Sequence, residues 1–183
     1  SSDGSGTLSG MQKTVSDIRD TLNGTTDSIN KLLESSKGYY QEVSKLVDSA
    51  FETQAADARA VADTLDTVAS KVDGTISSYT EMRDSIAALG ESNPELSALT
   101  EPIVAKLNAS IATQTELSES LKSTAESLRT SATDVVTAKK ELDKLIDESV
   151  KGIDSVKKEY EDNVKSILNK LSASLGSAGS DIS

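Results

Sequence analysis

Carboxylates are the only side chains present in quantity that could do acid–base or metal chemistry. The 183-residue chain has 30 Asp and Glu against 19 Lys and Arg, and neither His nor Cys. Asp57, Asp63, Asp66 and Asp73 gather in the first half. Glu141, Asp143, Asp147, Glu148, Glu159, Glu161 and Asp162 gather in the second. A metal centre in a helical bundle places inward carboxylates beside a Glu-x-x-His motif. Here there is no His, and the carboxylates fall off the apolar stripe. Without Cys or His there is also no thiol nucleophile, no zinc site of the usual kind and no imidazole base. No Asp-rich loop closes on a Glu as a calcium loop does, and the glycines form no phosphate-cradling loop. The carboxylates therefore read as solvated helix faces. The chain is expected to be non-enzymatic, with no catalytic, cofactor-binding or metal-ligating residues.

The charge balance narrows the partners. The formal net charge is −11. It is evenly spread, with residues 1–90 carrying 8 basic and 14 acidic groups and residues 91–183 carrying 11 and 16. No basic patch offers phosphate neutralisation, so nucleic acid is not an expected partner, and direct docking on anionic lipid is disfavoured. Lys139-Lys140 and Lys157-Lys158 read as i,i+3 or i,i+4 pairs with neighbouring acids. Apolar residues are only 36% and aromatics 3%, with one Phe and no Trp. That suits a narrow seam between helices better than a deep core. No apolar run is long enough to span a membrane.

The elements that position these residues are two long helical patterns separated by Leu89-Gly90-Glu91-Ser92-Asn93-Pro94. Gly followed closely by Asn-Pro is a stop-and-restart signal. Before it, apolar residues at Leu8, Met11, Val15, Ile18, Leu22, Ile29, Leu32, Tyr39, Val43 and Leu46 step by threes and fours, with Thr25 and Ser36 as polar layers. That is a heptad seam. An Ala-rich stretch follows, and the stripe continues through Ala58, Val61, Leu65, Val68 and Val72 to Leu89. After the break, Ser92 or Asn93 can cap, Pro94 suits a first helical turn, and Thr100 can cap a fresh start before Pro102. A second stripe then runs from Ile103 to Leu175 with more fours among its threes. This predicts a shallower supercoil.

The expected fold is all-α, an elongated antiparallel coiled-coil hairpin about 120 Å long at 1.5 Å per residue. Its first arm is 7–89, its tip 90–102 and its second arm 103–176. Residues 1–6 read as a linker or cloning remnant and 177–183 as a C-terminal linker. Facing residues should have numbers summing to about 185, which puts Tyr160 opposite Gly24 and Thr25. The alternative is a compact four-helix bundle with the arms folded back at Gly38, Gly74 and Gly152. Tyr39-Tyr40 reads as seam packing, with a contact patch as the second reading.

The stretch from Leu171 to Ile182 (Leu-Ser-Ala-Ser-Leu-Gly-Ser-Ala-Gly-Ser-Asp-Ile) and the seam from Leu8 to Leu46 resemble the extracellular helical segment of the phage infection protein family. The likeness extends over most of the chain as composition and rhythm. It implies a Gram-positive membrane protein related to ABC-2 transporters, whose extracellular segment serves phages as a surface determinant. On that resemblance the chain is a stalk or binding domain at the extracellular face of the bacterial membrane. Its partner would be a protein or phage component, a second copy could pair through exposed seam residues, and membrane contact would come only from flanking segments. The candidate interaction tip is Glu91, Ser92, Asn93, Pro94, Glu95, Thr100, Glu101 and Pro102. The alternative is a signalling or scaffolding coiled coil of the chemoreceptor-like or secreted helical kind.

Overall fold

Helix formation is nearly uninterrupted because little in the chain opposes it. Both prolines lie close to the break, and among the described residues none has a positive φ. The many hydroxyl side chains, which compete with helix elsewhere, are absorbed. Those of Thr21, Thr64, Thr80, Thr115 and Thr124 donate to the carbonyl four residues back at 2.8–3.0 Å, so the hydroxyls are satisfied within the helix. A computed structural model describes the backbone of residues 2–182 and the side chains of residues 4–177. It contains α1 (Ser2–Ser92), a 3-10 turn (Pro94–Leu96) and α2 (Ser97–Ile182). The two helices pack antiparallel as an all-α hairpin. No described helix is long and apolar enough to cross a membrane.

Helix extends beyond the sequence reading at both ends, through 2–6 and 177–182, and Thr7 lies inside α1. Once a long helix exists, propagation through a Gly or Ser costs far less than nucleation. Gly38, Gly74 and Gly152 are likewise crossed without a turn, so the fold-back alternative has no corners to use.

By contacts the hairpin comprises two compact units, residues 48–140 and residues 1–47 with 141–183. In the 48–140 unit the buried apolar residues are all alanines: Ala55, Ala62 and Ala69 on α1, and Ala125 and Ala132 on α2, each at most 2% exposed. Ser118 takes the place of a further alanine at 3%. Both sets repeat every seven residues. The pairs 55/132, 62/125 and 69/118 each sum to 187, close to the expected register. Small side chains at the contact let two helix backbones approach near the lower end of the usual 8–10 Å. Val61 and Val68, expected in the seam, flank it at 50% and 40% exposure. The buried apolar positions of this seam thus carry methyl groups, with the larger valines beside them.

In the unit formed by 1–47 and 141–183, the half-buried positions recur every eleven residues. Leu22, Leu33 and Ser44 make one such series on α1, and Val15, Thr26 and Lys37 another. On α2 the series are Ile146, Lys157 and Leu168, and Ile153, Val164 and Leu175. Eleven residues in three turns is slightly more than 3.6 per turn, so this seam departs from the heptad expected for α1. The difference arises at adjacent apolar residues. The heptad reading took Leu32 and Leu46, whereas the structure half-buries Leu33 and Val47 and leaves Leu32 and Leu46 68% and 70% exposed. Tyr39 is 69% exposed, so it is not seam packing. Thr26, rather than Thr25, meets Tyr160, its Oγ1 lying 3.3 Å from the phenol oxygen.

Overpacking a well-filled seam typically costs 1–3 kcal/mol. Ala62→Leu is expected to lower stability by about that amount despite adding apolar surface. Val61→Leu, one residue away on the exposed flank, should change it by less than about 0.5 kcal/mol. Chemical denaturation of the two variants checks the contrast.

Candidate functional site

The turn between the helices is tighter than the sequence reading. Its non-helical backbone is confined to Asn93, at φ −131° and ψ 83°, followed by the single 3-10 turn. Asn93 was expected as a cap for the second helix, but its side chain makes no such bond. It works backwards instead. Its backbone N–H and its Nδ2 both donate to the Leu89 carbonyl, at 3.0 and 3.2 Å, closing the open end of α1. The Asn93 carbonyl then accepts from the Leu96 N–H at 2.8 Å, and Pro94, which has no N–H to leave unpaired, starts the 3-10 turn.

Thr100 is not a cap either. α2 has already begun at Ser97, and Thr100 is 7% exposed and packed against Gly90. A methyl group at position 90 would collide with Thr100 Oγ1 and lie 3.3 Å from its Cβ. Gly90 is therefore required by close approach. Gly24, Gly38, Gly74 and Gly152 have open space where a Cβ would sit. Pro102 lies inside α2, five residues after its start, and removes one backbone donor there.

Of the eight candidate tip residues, Glu91, Ser92, Pro94, Glu95, Glu101 and Pro102 are exposed, Asn93 is half-buried and Thr100 is buried. Gly90, Glu91, Ser97, Thr100, Glu101 and Asn108 contribute to a shallow groove of about 390 Å³ across the two helix ends. Three carboxylates on or beside this groove, from Glu91, Glu95 and Glu101, face solvent with no basic residue between positions 84 and 105. The surface is small and acidic.

Several carboxylates that read as a solvated face do more than meet water. Asp73 accepts from Ser118 Oγ at 2.6 Å and from Lys122 Nζ at 2.9 Å. Arg129 reaches both Asp63 at 2.8 Å and Asp66 at 2.6 Å. Lys139 crosses to Asp48 at 3.5 Å and Glu52 at 3.2 Å rather than serving only its own helix. Each of these puts acid on α1 and base on α2, so a slip of one heptad would separate the partners. The Ser118 hydrogen bond, aided by Lys122, holds the Asp73 carboxyl below its ordinary range. Asp63 and then Asp66 raise the Arg129 guanidinium above its own. Among the described residues no three carboxylates converge as metal ligands do. Sequence spacing could not reveal these pairs, because they depend on the register between helices.

No protein-family model, curated protein or solved structure matches this chain.

Gly90→Ala should destabilise the hairpin by about 1–3 kcal/mol through overpacking. Gly74→Ala, in open space, should stabilise it by up to about 1 kcal/mol. Thermal melts of the two variants would therefore shift in opposite directions. For Asp73 the folded-state pKa is depressed, so its contribution is present above the usual carboxylate range near pH 4 and is lost as pH falls through the lower folded value. The stability gap between the wild type and Asp73→Asn should be constant from pH 6 to pH 8 and close as the pH is lowered below about 4.

Proposed function

We propose that this chain is a non-enzymatic stalk or binding domain on the extracellular face of a bacterial membrane protein of the phage infection protein kind, and that it presents its turn to a protein partner. The observation that carries this reading is the placement of the helix ends. Thr7, Met11 and Val15 on α1 line one groove with Leu171, Ser174 and Leu175 on α2. The outer ends of both helices are thus neighbours, as two flanking membrane segments would require. The acidic turn supports recognition of a partner with a basic or polar surface.

This chain has no cysteine, so one introduced here reports on this segment once labelling of the unsubstituted protein is subtracted. Ser92→Cys, in the protein expressed from its own gene, is to be treated on intact cells with a membrane-impermeant maleimide. Labelling of intact cells at the level of lysed cells is the expected result. Labelling only after lysis would contradict the extracellular reading and favour an intracellular signalling or scaffolding coiled coil.

A further inference from the structure

Of the heptad read in the first forty-six residues, Leu8, Met11, Val15, Ile18, Leu22 and Ile29 are half-buried, whereas Thr25, Leu32, Tyr39, Val43 and Leu46 face outward. Positions 21, 25, 28, 32, 36, 39, 43 and 46 of α1 step by threes and fours along a flank roughly a quarter-turn from the seam with α2. None of them is charged, and Leu32, Tyr39, Val43 and Leu46 are 44–70% exposed. On α2, positions 142, 145, 149, 152, 156, 160, 163 and 167 do the same. They too carry no charge, and Leu142, Leu145 and Val156 are 37–57% exposed. Both flanks lie on the same rotational side of their own seam. Because the helices are antiparallel, that places them on one face of the unit formed by 1–47 and 141–183. The opposite flank of α1 carries Asp20, Asp27, Lys31, Glu34 and Lys45.

We infer that this uncharged face pairs with the same face of a second copy of the chain, with a two-fold axis parallel to the helices. Three observations select a copy of this chain as the occupant. The seven apolar side chains expose roughly 700 Å² on one face, more than an ordinary monomer patch and close to the 800 Å² per partner of a standard interface. A net charge of −11 makes two copies repel, and this charge-free strip is where they can meet without bringing carboxylates together. The face is also self-complementary. Residue numbers at one level sum to between 186 and 191 in this unit, as at Thr26–Tyr160 and Lys37–Asp154. Tyr39 is therefore level with positions 147 to 152. A two-fold axis along the helices sets α1 of one copy over α2 of the other at the same level. Each exposed Tyr39 ring then lies over the second copy's Ser149 and Gly152, the two flank positions in that stretch, both small and the latter with its Cβ direction open. The product is a four-helix arrangement with antiparallel neighbours.

Light scattering and sedimentation equilibrium of the full chain over 1–200 µM test this. The wild type should be dimeric across the upper part of that range. Leu32→Glu with Leu46→Glu should shift dissociation upward by at least 100-fold while leaving helicity by circular dichroism unchanged, since both side chains are exposed. Gly152→Leu, which fills the hollow with a better helix former, should weaken the dimer at least 10-fold without lowering the melting temperature of the monomer. A monomeric wild type at 200 µM overturns the proposal, as does a dimer that survives the double Glu variant. A Gly152→Leu dimer as tight as wild type overturns the seating of Tyr39. Co-sedimentation of a monomeric chain with phosphatidylcholine vesicles, abolished by the double Glu variant, assigns the face to lipid and equally overturns it.

Discussion

The packing of alanine against alanine, every seven residues, is the constraint on which the 48–140 unit depends. A two-helix seam has no third layer to cover a large side chain, so no large apolar residue there is fully buried. Stability has to come from close backbone approach, which maximises dispersion contacts across a narrow strip. Alanine permits that approach and is also the best helix former. The same requirement recurs at the turn, where Gly90 and Thr100 meet so closely that even a methyl group would not fit. A thin apolar seam specifies register weakly, because one small residue is much like the next. The ion pairs supply what the alanines lack. Exposed salt bridges add little stability, but a set with acids on one helix and bases on the other penalises a heptad slip.

Much of the fold could be read from the sequence. The Gly-Glu-Ser-Asn-Pro break, two stripes of similar length and the near absence of proline are enough for a hairpin, and its register was legible to within a few residues. The seam itself was read less well. Hydrophobicity patterns give weight to Val61, Val68 and Leu32, but the closest contact selects for size. It therefore falls on Ala62 and Ala69, which carry weak signals. Adjacent apolar residues such as Leu32-Leu33 and Leu46-Val47 permit two registers, and local periodicity cannot choose between them. Only the partner helix does so.

The turn was located correctly, but its internal chemistry was not legible. Asn93 reads equally well as a cap for the helix that follows and as a terminator of the helix that precedes it. The choice depends on how α1 ends in space. Thr100 looks like a cap in sequence because Pro102 follows it. Its burial against Gly90 arises only when the two helices converge. Only the part of the stripe from Leu32 to Leu46 departs from the internal seam, and it leaves an uncharged face. The sequence contains two superposed periodicities, and each can serve a different interface.

The alanine register is tested most directly by crosslinking in this cysteine-free chain. Ala62→Cys combined with Ala125→Cys places two thiols in one buried layer, and a disulfide forms only where the Cα atoms are within about 7 Å. Under mild oxidation that pair should crosslink rapidly and completely within single chains. Ala62→Cys with Ala132→Cys, one layer out of register and about 10 Å further along the helix, should not. Faster closure of the second pair, or no closure of the first, would contradict the account of a hairpin held at this register by its alanine layers.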